Sequence, residues 1–150
     1  MRRPIRFIVL ALLLTAVAWP SAATAKSKSG LGERLVNRYL SLVQYHDVGG
    51  LKKFLSPVFQ LQRADGSRVT KSEFLSDLPT LNSYTIRDLR QTKAKKVLVA
   101  SYQEAADLVV DGVPYQHGYQ PRLATFVHGK KSWQIVSYGN FASPQTPASP

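Results

Sequence analysis

GERLVNRYLSLVQYHDVGGLKKFL, residues 32–55, is the stretch whose reading decides the fold. Leu35, Val36, Tyr39, Leu40 and Val43 recur at steps of three and four, with Leu31 one turn earlier. Arg34, Asn37, Arg38, Ser41 and Gln44 fill the other side. That spacing is the helix period, not the strand period. Gly49 and Gly50 break the pattern, and Asp47 is placed to cap a second, short helix over 48–55 with Leu51, Phe54 and Leu55 facing inward and Pro57 as its stop. A helix with one apolar stripe needs a partner surface, and nearly everything that follows alternates like strands. The reading is therefore α+β: a long N-terminal helix lying over a curved antiparallel sheet, with a pocket between them.

Downstream, 58–63 alternates and places Phe59, Leu61 and Arg63 on one face. Asp65-Gly66 is a turn. Thr70 and Glu73 have capping-box spacing and open a short helix over 71–78, with Phe74, Leu75 and Leu78 inward. Strands are expected over 84–92 and 97–109, joined by a turn at 93–96. Asp111-Gly112 turns the chain back. Pro114, Pro121 and Gly118 make 113–121 an edge or a loop. A hairpin then joins 122–128 to 131–141, with Trp133, Ile135, Ser137 and Phe141 sharing a face of its second strand.

The N-terminus reads as an address. Arg2, Arg3 and Arg6 precede an apolar run over 7–18, and Ala23-Thr24-Ala25 supplies a small-residue cleavage site. Residues 1–25 are expected to be a cleaved secretory signal, leaving no stable membrane span and a protein that works outside the cytoplasm. Residues 26–31 read as a flexible lead-in, 32–142 as one domain, and 143–150 as a disordered tail. The net charge is +11, from 20 basic and 9 acidic residues, which favours anionic surfaces in general. There is no cysteine, which excludes disulfides, thiolate metal sites and cysteine nucleophiles. His46, His117 and His128 match no metal spacing, so no metal and no cofactor is expected.

The order of these elements resembles the nuclear transport factor 2-like superfamily, in its SnoaL-like and ketosteroid-isomerase-like branches. Residues 37–55, 64–75 and 129–141 carry the resemblance, across about 32–142. It implies a cystatin-like cone closed by the long helix, and an option to pair as a homodimer through the sheet. It also implies positions for an isomerase machinery. Tyr39 falls where the isomerases keep a carbonyl-polarising tyrosine. The general base is replaced by Arg63, and the second acid by Ala124. Arginine cannot act as a base and alanine has no donor, so that mechanism does not transfer.

Two further features carry chemistry. Glu104 alternates with Leu98, Ala100, Tyr102, Ala106 and Leu108, which puts a carboxyl on the apolar face with Arg122 or Arg63 as its partner, unless a bulge swings it outward. Arg87, Arg90, Lys93, Lys95 and Lys96 cluster round one hairpin. The expected pocket is lined by Tyr39, Phe59, Leu61, Arg63, Phe74, Tyr84, Tyr102, Glu104, Arg122, Phe126 and Trp133. Its expected occupant is a small hydrophobic or amphipathic molecule. The alternatives are a SnoaL-like cyclase, hydratase or isomerase using Tyr39 and Glu104, or a module that binds an anionic surface polymer or a protein through the basic hairpin. Nucleic acid is not expected.

Overall fold

The computed structural model describes residues 30–141, so the expected signal sequence, most of the lead-in and the expected tail lie outside the described residues. Three helices and six strands follow in order: α1 (Leu31–Gln44), α2 (Val48–Phe54), β1 (Leu55–Gln62), β2 (Arg68–Thr70), α3 (Lys71–Ser76), β3 (Thr80–Ala94), β4 (Val97–Val110), β5 (Val113–His128) and β6 (Trp133–Asn140). The strands form one sheet in the order β2-β1-β6-β5-β4-β3. No helix among the described residues is long and apolar enough to cross a membrane.

The stripe read from the sequence is the stripe that is buried: Leu35, Val36, Tyr39, Leu40 and Val43 all face the core. α1 lies against β3 and β4. Its first turn is anchored there too, because the Gly32 N–H donates to the Gln91 side chain on β3. A Cβ at Gly32 would meet Gln91 Oε1 at 2.6 Å, so a larger residue there would displace the glutamine amide and this hydrogen bond. Asp47 caps α2 by accepting from the Gly50 N–H at 2.8 Å. The capping box at Thr70 and Glu73 is present in both directions. Lys71 adds a tie the periodicity did not show: its ammonium donates to the Lys52 and Leu55 carbonyls at 2.8 and 2.7 Å, joining the start of α3 to the end of α2.

Several boundaries differ from the sequence reading. α2 ends at Phe54, before Pro57, because Leu55 is already extended and opens β1. α3 ends at Ser76, not at 78. A short strand, β2, pairs with the end of β1 and was not expected. β3 starts four residues before its expected first residue at 84. The sheet is antiparallel except where β1 runs parallel to β6, with Leu61 opposite Tyr138. Residues 113–121 are not a loop but an edge: they form the first half of one continuous strand, paired with β4 from Val113 onward. The pairing with β6 begins only at Arg122. The proline-bearing half therefore has a ladder on one side, where a missing N–H is tolerated.

Bulges set the faces. The β4–β5 register slips between Glu104 and Ala106 with the extra residue in β5, so β4 keeps its phase and Tyr102, Glu104 and Ala106 all stay buried. In β6 the slip falls at Val136, between Ile135 and Ser137. It reverses the phase, so Ile135 and Tyr138 are buried, rather than Ile135 with Ser137 and Phe141. The closed end of the cone is solid, packed by Leu51, Phe54, Leu55, Leu98, Phe126 and Ile135.

Candidate functional site

Beyond that packed end α1, α3 and the sheet line a cavity of about 1130 Å³. Its deep wall is a polar cluster. Glu104 on β4 and Arg122 on β5 are 5% and 7% exposed. Arg122 Nε lies 3.6 Å from Glu104 Oε1. Tyr138 Oη donates to Glu104 Oε2 at 2.6 Å. Arg122 also donates from Nη1 to the Pro121 carbonyl at 3.1 Å. Both ions are taken out of water, so each depends on the other and on the tyrosine for compensation. Asn140, opposite Arg122 in the sheet, lines the cavity with a buried Oδ1 that has no hydrogen-bond partner among the described residues.

Tyr39 reaches this cluster from α1, its ring 4.9 Å from that of Tyr138 between centroids. Phe59 and Phe74 close the other side of Tyr39, with centroids at 6.4 and 6.2 Å. Burial pushes the Tyr39 hydroxyl well above the ordinary phenol range, and Tyr102 and Glu104 add to it. Tyr138 is raised likewise, first by burial, then by Tyr102, Glu104 and Tyr39, against Arg122. Burial also raises Tyr102, followed by the Glu104 charge, with Tyr138 and Arg122 acting the other way. These hydroxyls are therefore protonated donors at neutral pH.

The sign of the pH dependence follows. In the unfolded chain a phenol ionises near its ordinary value of about 10. Above that pH the folded chain holds protons that the unfolded chain has lost. The stability from the three neutral tyrosines is thus fully present below about pH 10 and falls as the pH rises further. A spectrophotometric titration, with circular dichroism followed in parallel, should show the last tyrosinate absorbance appearing together with loss of structure. Ionisation of all seven tyrosines in a still-folded protein would contradict the burial of these three.

Of the residues expected to line the cavity, Tyr39, Leu61, Arg63, Phe74, Glu104 and Arg122 do so. Arg63 lies exposed at the mouth, beyond the end of β1, so the partner of Glu104 is Arg122. The other five expected residues do not line it. Phe59 stands behind Tyr39 and Phe74. Tyr84 lies under the far edge of α1, its hydroxyl 3.2 Å from Ser41 Oγ. Tyr102 is buried behind the polar cluster. Phe126 packs on Phe54 at the closed end, with centroids 6.2 Å apart. Trp133 meets His128 edge-on at the hairpin, 5.2 Å between ring centroids. Tyr138, the donor to Glu104, turns inward through the bulge at Val136, which nothing in the sequence marks. At the basic hairpin, Arg87 pairs with Asp88 at 3.4 Å and stacks over Tyr119 at 3.7 Å, and the three lysines are exposed.

No family model and no curated protein matches this sequence. Solved structures do. A nuclear transport factor 2-like protein from Cytophaga hutchinsonii superposes with a TM-score of 0.69 at 15% identity, over 73% of this chain and 93% of that one. A nuclear transport factor 2-like protein with a cystatin-like fold from Novosphingobium aromaticivorans gives 0.55 at 13% identity, over 76% and 80%. A protein described as a putative ketosteroid isomerase from Shewanella frigidimarina gives 0.57 at 11% identity, over 75% and 95%. At these identities the likeness speaks for architecture alone. The chain has the nuclear transport factor 2-like, cystatin-like fold.

Proposed function

We propose that this chain is a secreted ligand-binding domain whose cone holds one small hydrophobic or amphipathic molecule. The observation that carries the reading is the cavity of about 1130 Å³, walled by Leu40, Val43, Leu61, Leu81 and Leu108 and ending on a few convergent polar groups. That combination suits a largely apolar molecule oriented by one polar contact. The engagement of Glu104 favours binding over proton transfer: one oxygen faces Arg122, and the other accepts from Tyr138. Export is supported by the basic, apolar and small-residue succession of residues 1–25.

The cavity itself is the thing to test. Nile red, a neutral environment-sensitive dye, should bind the full chain saturably at one site. Ala106 is buried on β4 and lines the cavity between Glu104 and Leu108. Ala106→Phe should project a ring into that space, lower dye affinity by at least about tenfold and keep the fold, since the void has room for it. Native mass spectrometry of the purified chain should show a copurified apolar molecule that the variant lacks. Equal dye binding by the two proteins would sink the reading.

A further inference from the structure

We propose that the molecule held in this cavity carries a neutral carboxamide, its carbonyl accepting from the Tyr39 hydroxyl and its N–H donating to Asn140 Oδ1. This rests on the ligand-binding reading above and names the chemical class of the ligand.

Two polar groups of the inner wall are left without a protein partner. Tyr39 is 3% exposed and lines the cavity. Its ring is packed by Phe59, Phe74 and Tyr138, and among the described residues no group hydrogen-bonds to its hydroxyl. Asn140 lines the cavity too, and its Oδ1 is buried with no partner among the described residues. A buried polar atom that has lost water and gained no hydrogen bond is costly until something bonds to it. One of the two is a donor and the other an acceptor. Burial keeps the Tyr39 phenol protonated, so it can give a hydrogen bond at neutral pH. The side-chain carbonyl of an asparagine can only receive one.

Their spacing suits a group with two ends. Tyr39 packs on Tyr138, with ring centroids 4.9 Å apart. Tyr138 and Asn140 pair with Ala124 and Arg122 in unbroken register, so they share a face of β6. Two residues of strand cover about 7 Å. A carboxamide with a hydrogen bond of about 2.9 Å at its oxygen and another at its nitrogen spans a similar length. It satisfies both groups, where an alcohol satisfies one.

The neighbouring charges select against an ionised head group. Glu104 and Arg122, both more than nine-tenths buried, face each other at 3.6 Å, so this wall carries no net charge. A carboxylate would meet Glu104 and an ammonium would meet Arg122, each desolvated without a counter-ion of its own. The leucines of the lining take an apolar chain.

Octanamide, N,N-dimethyloctanamide and octanoate share one chain and differ in the head. Displacement of Nile red from the full chain at neutral pH should give octanamide an affinity at least about tenfold above the other two, since one lacks the N–H and the other is charged. Asn140→Leu, close in volume, should bring octanamide down to the dimethyl amide and leave the dimethyl amide unchanged. Tyr39→Phe should weaken both amides alike. Both variants should keep the wild-type melting temperature, because neither removes a hydrogen bond within the protein. The dimethyl amide or octanoate binding as tightly as octanamide, or an Asn140→Leu protein that keeps the preference, would overturn the carboxamide assignment and leave the cavity reading standing. Bound Nile red that none of the three displaces would do the same. Failure of Nile red itself to bind would remove the cavity reading and this inference together.

Discussion

Arg122→Met should destabilise the protein by about 3–5 kcal/mol, because it leaves the Glu104 carboxylate buried without its counter-ion. The Glu104 residue is 5% exposed, so the water of the cavity would compensate its charge less well than the guanidinium does. Tyr138 would still donate to Oε2, but one neutral hydroxyl does not compensate a buried charge. The size of the loss reflects the stranded charge, not the net worth of the pair. Adding Glu104→Gln should therefore restore most of the stability, since the double variant has no charge to bury. Urea unfolding of the wild type, the single variant and the double variant checks this. A single variant as stable as the wild type, or a double variant less stable than the single one, would mean that the cluster is not the desolvated pair described here.

Phe126→Ala should cost a comparable amount, about 3–5 kcal/mol, for an unrelated reason. Phe126 is fully buried at the closed end, against Phe54, with Leu51, Leu55, Leu98 and Ile135 in the same core. Strand pairing on both sides of β5 holds the backbone there, so the walls cannot collapse into the void. Leu61 provides the internal comparison. It is also buried, but it faces the open cavity, so its truncation enlarges a void that already exists. Leu61→Ala should then fall near the lower end of the range for such truncations, about 2 kcal/mol. Equal losses at the two positions would show that the cone is packed alike along its length, which would contradict the cavity. Since ligand binding is expected at Leu61 and not at Phe126, only Leu61→Ala should also alter Nile red affinity.

The two ends of the cone thus divide the work. The closed end carries stability through apolar packing, and the open end is freed from that task and can hold polar and charged groups. Glu104, Arg122 and Tyr138 stand at the boundary between them. This placement explains why a buried ion pair is tolerated: it is anchored by the rigid end and faces the accessible one.

The helices and turns were legible in the sequence because their signals are local. The α1 stripe repeats within a few residues, the Thr70–Glu73 capping box closes over one turn, and the Asp-Gly pairs carry their own backbone preference. The burial of Glu104 was legible for the same reason, since β4 alternates without interruption. Pairing across strands is not local, and there the tertiary structure decided. Whether Arg63 or Arg122 met Glu104 depended on which strand lay beside β4. Whether Ser137 or Tyr138 faced inward depended on one bulge at Val136, and a slip of one residue reverses every side chain beyond it. The distance of Phe126, Trp133 and Tyr84 from the cavity depended on how far the packed end extends, a question of volume that no residue pattern encodes. Local hydrogen bonding and periodicity determined the elements and their inner faces; strand register and packing decided which of those inner residues became a site.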